Sequence, residues 1–334
     1  MANQPQPFTL AVPDDAIADL RERLARTRYP DQAPGAPWAY GTDVGYLQQL
    51  VEYWRTAFDW RAEEPRLNAF AQYKVPLCGI DLHFLHVPGK GPAPCPLLLL
   101  HGWPGSVFEF LELIPRLTDP ARFGGDPADA FTVVAPSLPG YGLSFKPGQP
   151  RFGIEEIADC MAELMHDTLS YFRFAVQGGD WGAITASRLG CVHPEKLIAI
   201  HVNLLAVRRD QQPTADAPAE EKAYAEQLAQ WLREETGYQW IQGTRPQTLA
   251  LRAHRLAGRP RRLDHRKVSL LVRLRRQCRD RIHPRPTARQ YQLLLVHRRD
   301  RFVILAILRA YASAVAHSRR ADRRCPDRIC GVSA

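Results

Sequence analysis

The sequence predicts an α/β fold with a mostly parallel sheet, and two observations point to it. Short continuous apolar runs, which suit strands buried on both faces, alternate with segments of helical periodicity. Such alternation is typical of a parallel sheet with helices on both faces. The predicted strands are Ile80–Val87, Pro96–Leu100, Phe131–Ala135, Phe174–Val176 and Leu197–Asn203. Helices are predicted between them at 106–117, 154–170 and 181–192.

Two helices precede the first strand and form a predicted N-terminal module, residues 1–65. In the first, Asp14 or Asp15 is placed to cap a helix whose apolar positions Ile17, Leu20 and Leu24 recur at helical spacing. The second spans 45–59. The sheet and its helices then occupy 66–207. Charged, helical residues 216–236 indicate a partial cap over 208–250.

Composition limits the class of protein. The 334 residues are 45% hydrophobic, enough for one large core or two domains. Neither an apolar stretch of membrane-spanning length nor a secretory signal is recognisable, so we expect no membrane association. The seven Cys are scattered without a CxxC motif, which favours a reducing cytoplasm over a disulfide framework or structural zinc.

Charge is distributed unevenly along the chain. Residues 251–334 contain 22 Arg and one Lys against five Asp and no Glu, although the whole chain carries a net charge of only +9. Residues 1–250 are net acidic, with 21 basic and 30 acidic side chains. A basic segment of this kind is one signature of a nucleic-acid-binding arm.

The first motif with chemistry is Gly178-Gly179-Asp180-Trp181-Gly182, directly after a predicted strand. It has the layout of a nucleophile elbow of α/β-hydrolases, with Asp180 in the place of the usual serine. Glycines flank the nucleophile because the turn is strained and crowded. A carboxylate in this position attacks carbon and forms an ester. The alternative is an Asp that caps the following helix in a glycine-rich turn.

A second motif, HGWPGS at His101–Ser106, directly follows the strand Pro96–Leu100. In α/β-hydrolases the corresponding loop provides an N–H of the oxyanion hole, and the backbone N–H of Trp103 is the candidate donor. The N–H of Trp181 is the second candidate. The segment PSLPGYG, which begins at Pro136, either shapes the pocket or is a plain turn, and no chemical role is assigned to it.

In the cap region the segment GYQWIQGTRPQTL contains Tyr238. A tyrosine hydroxyl can donate a hydrogen bond to an epoxide oxygen and stabilise the alkoxide that forms as the ring opens. By residue type alone, a tyrosine in a cap is more often a packing residue than a catalytic one.

Residues 8–250 resemble the microsomal-type epoxide hydrolases, including their soluble bacterial members. The opening FTLAVPDDAIADLRERLARTRYP, then HGWPGS, PSLPGYGLS, QGGDWG and GYQWIQGTRPQTLA occur in the order of that family. The resemblance implies an α/β-hydrolase sheet with an N-terminal helical module and a cap. It also implies Asp180 as nucleophile, Trp103 and Trp181 as oxyanion-hole donors, and Tyr238 as one of two epoxide-binding tyrosines. No metal or cofactor is implied.

The family pattern stops after the cap, where the resemblance places the water-activating His, its acid and the second tyrosine. Residues 251–334 contain five His, none in a glycine-rich GGH-type loop, and no Glu. No catalytic His or acid is therefore identifiable. We expect the chain to lack the last two core strands and part of its cap.

Our hypothesis for this segment is that it is read in a shifted frame. Arg252–Arg276, back-translated with GC-rich codons and with one base dropped, can read GLTDSPAGLAAWITEKFRSWSDCG, which resembles the family's own sequence after TRPQTLA. We expect 251–334 to be out of frame and poorly ordered. The rival, a nucleic-acid arm, fits the Arg clusters, but interleaved Leu, Val and Ala runs are unusual for a solvated arm.

The sequence thus predicts an impaired epoxide hydrolase that acts on a small-molecule epoxide and forms an Asp ester. Nucleic acid is not favoured as a partner, and the sequence does not indicate an oligomeric state or which epoxide is bound. Two alternatives stay open. One is a haloalkane or haloacid dehalogenase, which shares an Asp nucleophile followed by Trp but not the cap tyrosine or the N-terminal module. The other is an inactive product with a basic nucleic-acid-binding tail.

Overall fold

A computed structural model describes residues 4–204, 213–248, 250 and the backbone of 293–296. Its described part divides into two compact units. The first contains residues 4–11, 61–204 and 293–296, and the second contains 12–60 and 213–250. The domain boundaries predicted at 65, 207 and 250 stay predictions. The predicted frame shift and disorder of 251–334 lie outside the described residues, apart from 293–296.

The first unit is built on a mixed sheet of eight strands in the order β1-β2-β3-β5-β4-β6-β7-β8. The four strands β5, β4, β6 and β7 pair with one another in parallel. Strands β1, β2 and β3 form an antiparallel extension, in which β3 pairs with β5. The strands are β1 Gln6–Pro7, β2 Gln72–Leu77, β3 Ile80–Val87, β4 Cys95–Leu100, β5 Phe131–Pro136, β6 Phe174–Gly178, β7 Leu197–Val202 and β8 Leu293–Val296. The predicted α/β-hydrolase sheet is therefore confirmed.

Strand β8 is the part of the Arg-rich segment that the structure describes. It pairs antiparallel with β7, from Ala199 opposite Val296 to Val202 opposite Leu293. This strand coincides with an apolar run of the sequence. The expected loss of the last two core strands concerns residues that otherwise lie outside the described ranges.

Helices cover the central strands, which are buried over most of their length. All six residues of β5 are buried, and so are the last four of β4. The helices of this unit are α3 Trp60–Asn68, α4 Ile114–Thr118, α5 Ile154–Glu163, extended by a π-helical turn Leu164–Thr168, and α6 Trp181–Val192. Helices α5 and α6 contribute Ile157, Met161 and Leu189 to the same buried cluster as Leu98, Leu100 and Phe174.

The second unit is helical within its described residues. It contains α1 Asp14–Ala25, α2 Val44–Thr56, α7 Ala219–Glu234 and α8 Gly237–Thr244. Helix α2 begins one residue before its predicted start at 45 and ends at Thr56, three residues before its predicted end. The Asp43 side chain caps it by accepting a hydrogen bond from the N–H of Tyr46. The predicted cap of α1 was wrong: Pro13 occupies the N-cap, and Asp14 and Asp15 lie in the first turn. There they favour the helix through its dipole.

Candidate active site

Two loops that carry the predicted site residues meet at one edge of the sheet. Strands β4 and β6 are adjacent and parallel, with Leu100 opposite Gly178 at their carboxyl ends. The HGWPGS loop leaves β4 and the QGGDWG turn leaves β6, so the topology brings both motifs together.

Asp180 has the backbone geometry of a strained strand-to-helix turn. Its φ of 52° and ψ of −122° lie in a region that residues with a Cβ rarely adopt. The turn is crowded: a Cβ on Gly182 would lie 2.8 Å from the carbonyl oxygen of His101, and one on Gly178 would lie 2.7 Å from Ala183 N. The strained backbone of Asp180 is thus flanked by glycines at positions where a Cβ would clash, which is the geometry predicted for a nucleophile elbow.

The Asp180 carboxylate does not cap helix α6, although it occupies the N-cap position. Its Oδ1 instead accepts a hydrogen bond of 2.8 Å from the backbone N–H of Trp103. The alternative that Asp180 is a helix cap is therefore excluded. The carboxylate is exposed, and one of its two oxygens is held by the loop from the neighbouring strand.

Gly102 is the residue that allows this approach. A Cβ at Gly102 would lie 2.5 Å from Asp180 Oδ1, so any other residue would push the carboxylate away from the loop. The following Trp103–Pro104 peptide bond is cis.

His101 is buried beneath the same loop and is joined to two backbone groups. Its Nδ1 lies 3.1 Å from the carbonyl oxygen of Gly102, and its Nε2 accepts the N–H of Leu138 at 3.1 Å. Because a carbonyl only accepts, Nδ1 carries the proton and the ring is neutral. Burial lowers the pKa of His101 to about 4, which keeps the ring neutral at pH 7.

A second buried histidine, His83 on β3, holds the residue beside Leu138. Its Nδ1 lies 3.0 Å from Ser137 Oγ and its Nε2 lies 3.1 Å from Gln72 Oε1. Burial, with a smaller contribution from Lys74, lowers the pKa of His83 to about 3. The PSLPGYG segment, which received no chemical role from its sequence, is thus fixed by hydrogen bonds on both sides.

The other two predicted site residues lie in different units. Trp181 is the first residue of α6 and packs against the core of the first unit. As the first residue of a helix, it directs its N–H toward the helix N-terminus, next to Asp180. Tyr238 belongs to the second unit, in α8, where it is exposed and its hydroxyl accepts a hydrogen bond of 3.0 Å from Gln239 Nε2. The structure brings Asp180 and Trp103 together. The catalytic roles of Asp180, Trp103, Trp181 and Tyr238 stay predictions.

Sequence reasoning missed the supporting residues His101, Ser137 and His83. HGWPGS contains His101, so its presence was visible, but its partner Leu138 is 37 residues away and only the fold brings them together. Among the described residues, no cluster of three or more His, Cys, Asp or Glu is arranged to hold a metal. Within the same residues, no helix combines the length and apolarity needed to cross a membrane. The predicted lack of a catalytic His and acid falls on 251–334, outside the described ranges.

Comparison with known protein families gives two matches that follow one another along the chain. Residues 5–110 match the family described as "Epoxide hydrolase N terminus", and residues 96–242 match the family described as "alpha/beta hydrolase fold". Residues 5–242 belong to the epoxide hydrolase family. The resemblance predicted from the motifs is confirmed, and its N-terminal part is specific to epoxide hydrolases.

Curated relatives of this chain are also named as epoxide hydrolases. A protein of Stigmatella aurantiaca named "Putative epoxide hydrolase" is 46% identical over 243 residues, which cover 73% of this chain and 55% of the relative. Epoxide hydrolase 1 of Oryctolagus cuniculus is 36% identical over 211 residues, which cover 61% of this chain and 46% of the relative. The chain thus spans about half the length of the curated relatives that it matches.

Solved structures give the same fold. The juvenile hormone epoxide hydrolase of the silkworm Bombyx mori superimposes with a TM-score of 0.62 at 31% identity, over 75% of this chain and 59% of that one. The epoxide hydrolase of Aspergillus niger superimposes with a TM-score of 0.67 at 28% identity, over 81% of this chain and 74% of that one.

Proposed function

We propose that this chain carries out the first half of epoxide hydrolysis, with Asp180 as the nucleophile, and that its turnover is impaired. The observation that supports the nucleophile most directly is the hydrogen bond from the Trp103 N–H to Asp180 Oδ1. It fixes one oxygen of an exposed carboxylate on a strained elbow and leaves the other, Oδ2, available to attack.

In the proposed first step, Asp180 Oδ2 forms a bond to a ring carbon of the epoxide while the bond from that carbon to the ring oxygen breaks. The oxygen leaves as an alkoxide and receives a proton, for which Tyr238 is the proposed donor. The product is a hydroxyalkyl ester of Asp180. Its mass exceeds that of the free protein by the full mass of the epoxide.

The second step requires water to attack the ester carbonyl. The backbone N–H groups of Trp103 and Trp181 are the proposed donors to the oxyanion of the tetrahedral intermediate. A His must activate the water and an acid must orient that His. No such pair is recognisable in residues 251–334, so we propose that the ester accumulates and diol release is absent or very slow.

Mass spectrometry of the intact protein after incubation with styrene oxide tests this proposal. We expect one adduct per chain with the full mass of the epoxide, on the peptide that contains Asp180. The matched control is Asp180→Asn, whose amide is not a nucleophile and which should form no adduct on that peptide.

Two other outcomes would contradict the proposal. Release of many diol molecules per chain would refute the impaired second step. An adduct with a 1-chloroalkane but none with styrene oxide would favour the dehalogenase alternative. Such an adduct is recognisable by its mass, since displacement of the halide adds only the alkyl group.

A further inference from the structure

A continuous series of hydrogen bonds within the first unit connects Asp180 with Leu138 through the oxyanion-hole candidate Trp103 and His101. The path starts at Asp180 Oδ1, which accepts the Trp103 N–H. The peptide group that supplies this N–H also contains the carbonyl of Gly102, and that carbonyl oxygen accepts from His101 Nδ1. The orientation of this one peptide plane therefore decides both contacts.

The same histidine is anchored on its other side. His101 Nε2 accepts the Leu138 N–H from the loop after β5, the strand next to β4. The ring is fully buried and also packs edge-on against Tyr141, at 5.3 Å between ring centroids. With both nitrogens hydrogen-bonded, the ring cannot turn without breaking a buried hydrogen bond.

Leu138 is itself held in place from the opposite direction. The neighbouring Ser137 contacts His83, and its N–H donates to the His83 carbonyl at 2.9 Å. His83 in turn reaches Gln72, whose Nε2 donates to Asn68 Oδ1 at 2.8 Å. The loop that anchors His101 is therefore tied to the sheet through His83 on β3.

We propose that His101 is a positioning residue: it turns the 102–103 peptide plane so that the Trp103 N–H points at Asp180 Oδ1, and thereby presents Oδ2 to the epoxide. The inference rests on the proposed function of Asp180. His101 touches neither the substrate nor the carboxylate in this role, and it acts only through the loop backbone. Its neutral state matters, because a protonated Nε2 no longer accepts the Leu138 N–H.

The test is the rate of Asp180 alkylation by styrene oxide in three variants. His101→Phe keeps the ring volume and removes both hydrogen bonds. His101→Asn places an amide near the position of Nδ1, where it can still donate to the Gly102 carbonyl. The matched control is His86→Phe, a half-buried histidine on β3 whose Nε2 bonds the Tyr171 hydroxyl and not the loop.

We expect His101→Phe to lower the maximal alkylation rate constant at least about tenfold, because small misplacements of reacting groups have effects of this size. The epoxide concentration for half-maximal rate should stay within about twofold, since substrate binding does not involve His101. His101→Asn should recover part of the rate, and His86→Phe should react like the unaltered chain.

A purely structural role of His101 gives a different result. Partial unfolding would lower the observed rate only in proportion to the folded fraction, so the rate constant divided by the folded fraction would be unchanged. An unchanged rate constant in His101→Phe, or no gain in His101→Asn over His101→Phe, would overturn the proposal.

A second measurement separates this inference from the proposed function. If the unaltered chain forms no adduct, the proposed function fails, and hydrogen exchange of the Trp103 amide still tests the positioning. His101→Phe should then speed exchange of this amide about tenfold or more, and His86→Phe should not. Equal exchange in the two variants would reject the role of His101.

Discussion

Helix α6, which follows Asp180, and helices α7 and α8 of the predicted cap differ in what they bury. Five of the 12 residues of α6 are buried. Helices α7 and α8 together have 24 residues, and none of them is buried. Both are amphipathic, and Trp240 is 71% exposed. Other large apolar side chains exposed on the two cap helices are Tyr224, Trp231, Tyr238 and Ile241.

Helix α6 is therefore packed within its unit, whereas within the described residues the two helices of the predicted cap are not. An exposed cluster of aromatic side chains on amphipathic helices is typical of a surface that another segment covers. The sequence after α8 is where the family resemblance ends. The frame-shift hypothesis accounts for both facts, because the segment that would cover these helices is then encoded but not translated.

The largest expected effect is obtained when the reading frame is restored. Removing one base after codon 250, so that the chain continues with GLTDSPAGLAAWITEKFRSWSDCG, should convert a single adduct per chain into many molecules of diol. The measurement is product released per chain with styrene oxide, and the same frame carrying Asp180→Asn should release none. Failure of the restored chain to turn over would contradict the frame-shift hypothesis.

Core truncation separates the two regions by stability. Phe174 in β6 is fully buried, and Phe174→Ala should lower the free energy of unfolding by about 3–5 kcal/mol through the cavity it leaves. Trp240→Ala in α8 removes a larger side chain that is 71% exposed, and its effect should stay within about 0.5 kcal/mol. Urea unfolding measures both. Equal losses would mean that α8 is covered after all.

Acid should destabilise the first unit selectively. The pKa of His101 is lowered to about 4 and that of His83 to about 3, so both fold as neutral rings but become protonated near pH 6.5 when unfolded. Unfolding therefore takes up protons below pH 6.5, and stability falls as the pH drops toward the folded pKa. Between pH 5.5 and 4.5 the loss should be about 1.4 kcal/mol per histidine.

The matched comparison for this pH effect is built into the sequence. Residues 12–60 and 213–248 of the second unit contain no histidine. Hydrogen exchange of peptides from β3 and β4 should accelerate over this pH interval relative to the intrinsic rate, while peptides from α1 and α2 should not. His83→Gln should make the dependence shallower. The same dependence in both units would argue against buried histidines as its cause.

Alanine at two glycines should give effects of opposite sign. Gly182→Ala would place a Cβ 2.6 Å from the carbonyl carbon of Leu100, so it should destabilise by about 1–3 kcal/mol. Gly243 in α8 has nothing within 4 Å of an added Cβ, so Gly243→Ala should stabilise the helix by up to about 1 kcal/mol. Thermal unfolding of the two variants reports the sign of each change.

Much of the fold could be predicted because it follows from short-range patterns. The predicted bounds of α6 and β3 agree with the structure, and the strand-to-helix turn at Asp180 is confirmed. Strand β2 was not predicted because Lys74 and Pro76 interrupt its apolar pattern. Pro76 is tolerated since β1 pairs only as far as Lys74, which leaves Pro76 at an open edge.

The candidate site was predictable in part, for a related reason. Asp180 and Trp103 are recognisable because each lies in a glycine-rich motif directly after a strand. His101 was not assigned a role, because its function depends on Leu138, and no local pattern reveals a contact between two loops. The helix predicted at 106–117 also divides into a 3₁₀ turn, Val107–Phe110, and α4, which has Pro115 in its first turn.

The hydrogen bond from Trp103 has a consequence for symmetry. A free carboxylate has two equivalent oxygens, and either can form a bond. With Oδ1 bound to a backbone N–H, the two oxygens of Asp180 become distinguishable, and Oδ2 is the one left for the proposed attack. The backbone of one loop thereby makes a symmetric group asymmetric. In the proposed reaction, Oδ2 would approach an epoxide with two different ring carbons from a single direction.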